Sequence, residues 1–391
     1  MKTNSVKLLL VALLSTFILH PSSLLGQGVL TPPGAPAPTM KTLDQIEPRT
    51  IVNAANTPGN SSSSFIISQP GSYYLTTNLT GVSGKTGIEI LTNNITLDLN
   101  GFALQGVSGS VYGIDIPFTL TNITVRNGMV SGWGNIGVYS ESTLSLNLVF
   151  ERLNVSGNGG YGFFVAGSGT VRDCNCEKNS VDGIYCASGI VSGCTANTNL
   201  ATGIEIDGGI VSGCSAQNNI GHGIYCNGGA VSGCSAQNNG NCGIVAVDSM
   251  MSECSAQYNG THGIYVMGGK VSGCFAFCNK FSGINVNAPG SEVIGNTCNG
   301  NNTTTNSSAA GIYINDKNNR VEDNHVAASG YAGIQVYNYS GYTNNIIIKN
   351  SVIGNGANNY IVPNSQIVGP LITNTVSGII TNSNPWANFS F

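Results

Sequence analysis

Charge is scarce in this sequence. Only 8% of its 391 residues are Asp, Glu, Lys or Arg, against about 25% in ordinary globular chains. A long-helix protein or coiled coil depends on Glu and Lys for its solvent faces, so that class is excluded. Lys and Arg together number 14 and form no basic run, so no nucleic-acid partner is expected. Beyond the N-terminus no apolar stretch has the length of a transmembrane helix. What is abundant is glycine, with 53 residues, together with Asn, Ser and Thr. That composition suits many turns joined by many short strands.

The N-terminus predicts a secretory signal over 1–28. Lys2 and Lys7 flank the start of an apolar run, Leu8 to Leu19, and Gly26 and Gly28 offer small residues before Val29. An uncleaved N-terminal anchor is the alternative. A Pro-rich linker follows over 29–45, including TPPGAPAPT at 31–39. It favours an extended spacer over helix or strand. The remaining residues, 46–391, are read as one folded domain.

Inside that domain three columns recur every 20 residues. Gly-Ile pairs stand at 183, 203, 223, 243, 263 and 283. Cysteines stand at Cys174, Cys194, Cys214, Cys234, Cys254 and Cys274. Asparagines stand at Asn179, Asn199, Asn219, Asn239, Asn259 and Asn279. Looser copies, such as Gly87–Ile88 and Gly333–Ile334, extend the pattern both ways. Within a unit the apolar residues alternate with period two, and none of the repeat shows a helical period. A 20-residue unit cannot close a core alone and must stack on its neighbours. The expected fold is therefore all-β: a right-handed parallel β-helix of about 12–13 coils, most regular over 171–290.

The columns have physical roles in such a coil. A stacked Asn can bond the Asn of the next coil and the backbone at a turn. The Gly column marks places where a side chain would clash or φ must be positive. In later units Asn296, Asn324 and Asn350 occupy the cysteine position, so the cysteines are expected to be small, buried turn-fillers. Coils about 4.8 Å apart allow disulfides only with local distortion, because bridged Cβ atoms sit near 3.8 Å. Free thiols are expected. A straight line of sulfurs does not make a tetrahedral zinc site, so no metal and no cofactor is expected.

The repeats resemble the right-handed β-helix superfamily, which includes pectate lyases and polygalacturonases. ISQPGSYYLTTNLTG (67–81), NITLDLNGFALQG (94–106), NITVRNGMVSGWG (122–134) and the ending NPWANFSF (384–391) resemble an exported bacterial branch whose activity is not established. The resemblance implies the fold over most of the chain after residue 45. It implies no particular chemistry, because one fold hosts many functions.

Candidate ligand contacts lie in the outward third position of the Gly-Ile-x-Val units. Tyr185, Glu205, Tyr225 and Tyr265 are expected to form an aromatic and acidic stripe suited to sugar rings and hydroxyls. The alternative is that these are ordinary exposed strand residues. Catalytic candidates are thinner: Asp182, Glu205 and Asp207. A glycoside hydrolase needs two carboxyls about 5 Å or about 6.5–9.5 Å apart. No polygalacturonase-type Asp cluster is evident. His222, Cys242 and His262 share one column and are read as exposed turn residues. Asp316, Lys317, Arg320, Glu322 and Asp323 are read as a solvated loop. The function expected is an exported, non-catalytic protein, secreted, periplasmic or at the cell surface, that binds polysaccharide or cell-surface glycan, adheres, or builds the envelope. A polysaccharide lyase or glycoside hydrolase is the alternative.

Overall fold

A computed structural model describes residues 48–373 and 383–391. The expected signal segment, 1–28, and the Pro-rich linker, 29–45, lie outside the described residues. The described chain is a parallel β-solenoid of about 15 turns with a period near 20–22 residues. That extends the 12–13 coils read from the Gly-Ile pair, because the first and last turns lack the pair. Among the described residues no helix is long and apolar enough to cross a membrane.

Each regular turn contributes to three sheets. The first sheet begins at Ser63–Ile67 and Thr86–Ile90 and ends at Asn358–Ile361. The second begins at Thr50–Ile51 and ends at Ile367–Val368. The third runs from Leu79–Thr80 to Asn388–Ser390. Strands pair in parallel and in strict register, for example Ile184 with Ile204 and Ile204 with Ile224. Register is fixed because a slip of one residue would turn the apolar set outward.

The core is three stacked columns. Ile184, Ile204, Ile224, Ile244, Ile264 and Ile284 line the first sheet and are fully buried. Val191, Val211, Val231 and Val271 line the second, and Ala196, Ala216, Ala236, Ala256 and Ala276 the third. Alanine fits these coils because the Gly column sits opposite, and Cys176 and Cys298 hold the same position in neighbouring coils. A Cβ on Gly223 would lie 2.5 Å from the Gly243 carbonyl oxygen and 2.9 Å from the Ala236 Cβ. Close approach, not positive φ, therefore explains the repeating Gly before Ile.

The two ladders hold the turns. Nδ2 of Asn219 donates to Oδ1 of Asn239 at 2.9 Å and to the carbonyl of Ala196 at 3.1 Å. Oδ1 of Asn219 in turn accepts from the amide and the Nδ2 of Asn199, both at 3.0 Å. Each buried amide is thus satisfied on both ends, and the ladder runs from Asn158 to Asn301. The left-handed residue is the one before the ladder Asn, not the Asn itself. Thr198, Asn218 and Tyr258 all have φ near 55°. A non-glycine residue there costs about 1–2 kcal/mol, and the ladder bonds offset it.

The cysteine column behaves as expected from its alignment with Asn. All twelve cysteines are free, and the column from Cys174 to Cys274 is buried. Sγ of Cys234 accepts the amide of Cys214 at 3.4 Å. At the end of the column Asn296 takes over, accepting the amide of Cys274 at 2.8 Å. Asn324, Asn350 and Asn388 carry the same ladder to the C-terminus.

Part of the charge cluster near 320 is ordered into the coil, while Asp316 and the exposed Lys317 lie in a loop. Arg320–Glu322 is a strand of the second sheet, and Glu322 is buried between Arg320 and Lys349. Those two cations hold its carboxyl below the usual carboxylate range. Sequence alone did not show that Lys349, 27 residues on, sits one coil above.

Candidate functional site

The candidate site is the outer face of the first sheet. Strand alternation sends the third residue of each Gly-Ile-x-Val unit out onto this face. Register then stacks one such residue per coil: Asp115 pairs with Tyr139, Tyr139 with Phe164, Phe164 with Tyr185, and Tyr185 with Glu205.

In the first half of the coil stack this column is aromatic and closely packed. Phe164 and Tyr185 stack with ring centroids 4.8 Å apart and planes at 20°. Tyr139 lies 5.6 Å from Phe164, and Tyr112 lies 4.7 Å from Tyr139. Tyr161 closes edge-on against Phe164 at 5.2 Å. Tyr112 and Tyr161 come from the position just before the Gly, beside the strand column. Sequence reading noticed that position only at His222, Cys242 and His262. Its aromatic members were legible as the residues preceding Gly113 and Gly162.

Carboxyls bound the aromatic patch on both sides. At one end are Asp182, Glu205 and Asp207, which the coil does bring together. Asp182 accepts the amide of Thr202 at 2.7 Å, and the Glu205 carboxyl lies beside it. Burial, and then the negative neighbours Asp182 and Asp207, push Glu205 up to about 7. Burial lifts Asp182 to about 6. Asp207 instead accepts the Tyr185 hydroxyl at 2.9 Å. Burial and that bond push Tyr185 up to about 12. Both carboxyls of the Asp182–Glu205 pair are thus held toward their protonated forms.

At the other end are Glu89, Asp115 and Glu141. Glu89 accepts the Ser63 hydroxyl at 2.8 Å. Asp115 is 9% exposed and its Oδ1 has no hydrogen-bond partner. Burial, and then Glu89 and Glu141, push its carboxyl up to about 7. Among the described residues no three His, Cys, Asp or Glu side chains converge to hold a metal ion.

Beyond Glu205 the column changes character. Tyr225 and Tyr265 remain on the face, but Val245 between them is buried. Register keeps both tyrosines in the column, Tyr225 beside Glu205 and Tyr265 one coil past Val245. They flank an apolar notch of about 320 Å³, lined also by His222, Cys242, His262 and Phe281. His222, Cys242 and His262 are thus not exposed turn residues, because the notch packs around them. His262 accepts the amide of Ser282 at 3.2 Å, and burial lowers its pKa to about 4. Cys242 Sγ lies 3.1 Å from the Thr261 hydroxyl.

Parallel coils wound this way define a right-handed β-helix with one aromatic and acidic face. The family described as "Right handed beta helix region" matches residues 105–253. That match covers under half of the chain, and the coils on either side of it continue the same right-handed parallel β-helix fold. One solved structure shares that fold. The A-module of one Azotobacter vinelandii mannuronan C-5 epimerase superposes with a TM-score of 0.51 at 16% identity, covering 77% of this chain and 91% of that one. A second A-module from the same organism gives 0.49 at 19% identity, covering 82% and 90%. A tailspike protein of E. coli bacteriophage HK620 gives 0.44 at 12% identity, covering 82% and 71%. No curated protein matches the sequence.

Proposed function

We propose that this is an exported glycan-binding protein whose ligand lies along the outer face of the first sheet. The observation that carries the reading is the ring-per-coil stack of Tyr112, Tyr139, Phe164 and Tyr185. Coils about 4.8 Å apart rise by nearly the length of one sugar unit. Successive ring edges thus meet successive sugars, while the flanking carboxyls accept hydroxyl hydrogen bonds. Rigid aromatic rings lose little conformational entropy on binding, which suits them to this work. The fold is shared with a mannuronan C-5 epimerase, an enzyme named for a polysaccharide. Export rests on the basic and apolar pattern of residues 1–28.

A glycan array with the purified protein tests the reading. Binding that drops at least about tenfold in Phe164→Ala and Tyr185→Ala, but holds in Tyr258→Ala, supports it. Tyr258 is exposed elsewhere on the coil. Equal binding by all three variants sinks it.

One observation favours a second, catalytic reading. The coil places Glu205, pushed up to about 7, beside Asp182, raised to about 6, and two adjacent carboxyls of unequal pKa are what an acid–base catalyst uses. Release of reducing ends or unsaturated products from a bound polysaccharide, abolished in Glu205→Gln, would establish turnover. Binding without turnover leaves the non-catalytic reading in place.

A further inference from the structure

We infer that the glycan is one bearing free amino groups, a polymer containing de-acetylated hexosamine, and not a polyuronate. This rests on the glycan-binding reading and specifies its ligand class. The first argument is what the face offers. Three sequence columns supply it: the residue before each Gly, the third residue of the unit, and the residue two after that. From Thr86 to Tyr337 none of these positions holds Lys or Arg. They do hold Glu89, Asp115, Glu141, Asp182, Glu205 and Asp207. A polyuronate would bring one carboxylate per sugar against these acids with no cation to receive it.

The second argument is independent of charge counting. Two residues of the outward column carry a buried oxygen with no hydrogen-bond partner: Asp115 Oδ1 and Gln335 Oε1. Both are nine-tenths buried or more. The Gln335 Nε2 is already engaged by the Ser307 carbonyl. Each of these two oxygens lacks a donor. A buried acceptor left unmade is unfavourable, and a ligand rich in O–H and N–H groups supplies the missing half of each bond.

Asp115 separates an amine from a hydroxyl. It faces the like charges of Glu89 and Glu141, and the Tyr112 and Tyr139 rings pack beside it. A hydroxyl would satisfy Oδ1 but leave three carboxyls facing one another. An ammonium group donates the hydrogen bond, balances the charge and lies favourably against an aromatic face. The Asp182–Glu205–Asp207 cluster offers the same combination beside Tyr161 and Tyr185. From the Asp115 coil to the Glu205 coil is four rises, or about 19 Å at about 4.8 Å each. A five-sugar segment therefore reaches from one acidic cluster to the other across the aromatic patch.

The experiment compares three probes by calorimetry at low salt: a glucosamine pentamer, an N-acetylglucosamine pentamer and a galacturonate pentamer. The expected result is that the glucosamine pentamer binds at least about tenfold tighter than either, as one charge-assisted hydrogen bond allows. In Asp115→Asn and Glu205→Gln its advantage over the N-acetylated pentamer should shrink toward one. Reading the ratio of two ligands on the same sample removes any dependence on the fraction folded. Tighter binding of the galacturonate pentamer, equal binding of the amino and N-acetylated pentamers, or an advantage that survives both substitutions would overturn the inference. Those outcomes leave the glycan-binding reading intact. Failure of the protein to bind any of the three probes or any glycan on the array would instead remove that reading, and this inference with it.

Discussion

The backbone amide of Cys274 donates to Oδ1 of Asn296 at 2.8 Å. One coil earlier the amide of Cys254 donates to Sγ of Cys274 at 3.4 Å. A thiol and a carboxamide thus do the same work at one coil position. Sulfur accepts weakly but is small, apolar and self-sufficient, so a run of cysteines needs no neighbour of its own kind to be satisfied. An Asn at the same place accepts strongly but brings two donors that the next coil must receive.

Cys274→Asn should be tolerated, because Asn296 lies next in the ladder and can accept its Nδ2. The expected change in unfolding free energy is within about 1 kcal/mol. Cys214→Asn is surrounded by cysteines on both sides and should cost about 1–3 kcal/mol, since one buried N–H is left without a strong acceptor. Urea denaturation of the two variants side by side checks the difference.

Asn239→Ala removes two acceptors from Asn219 and two donors, to Asn259 and Ala216. Several buried partners lose their bonds at once, so a loss of about 3–5 kcal/mol is expected. Because each coil contacts only its neighbours, the damage should be local. Hydrogen exchange should rise across residues 216–260 while the coils near Ile123 and Ile334 stay protected.

Two glycines should differ in how much an alanine costs. Gly223→Ala drives a Cβ to 2.5 Å from a carbonyl oxygen and 2.6 Å from Asn239 Nδ2, and should cost on the order of 3 kcal/mol. Gly213 has φ +59° and open space around it, and Glu253 occupies the equivalent place with φ 55°. Gly213→Ala should cost only about 1 kcal/mol. Thermal melts of the pair give the test.

Stability should fall as pH rises from about 4 to about 7. The folded-state pKa of Asp115 is raised from 3.8 to about 7, that of Glu205 from 4.5 to about 7, and that of Asp182 from 3.8 to about 6. Between the unfolded and folded values the native state binds more protons, so the slope of stability against pH is negative there. Asp115→Asn should flatten part of that slope and stabilise the protein above pH 7 by about 2–4 kcal/mol, at about 1.4 kcal/mol per pK unit. A slope unchanged by the substitution would show that Asp115 stays solvated.

Much of the fold was legible in one dimension. A coil that repeats every 20 residues writes its register into the sequence, so Ile184, Ile204 and Ile224 could be stacked before any coordinates existed. The ladder role of Asn199 and the interchange of Cys with Asn296 followed from the same alignment. So did the outward direction of Tyr185 and Glu205, because strand alternation is itself a sequence rule.

The tertiary structure decided what period alone cannot. Outward is not the same as exposed: Val245 and Asp115 point out of the coil yet are buried among the side chains of their own and neighbouring coils. Tyr112 and Tyr161 joined the aromatic patch from turn positions whose side-chain direction no alternation rule specifies. Glu322 found Lys349 only because an irregular coil of 26 residues, not 20, separates Asn324 from Asn350. The sequence by itself determined the repeat, its register and its buried ladders, since these depend on contacts between equivalent positions of neighbouring coils. Only the folded chain decided where acids, rings and unpaired oxygens share one face, because those contacts join non-equivalent positions, and their distances depend on turn geometry that the period leaves free.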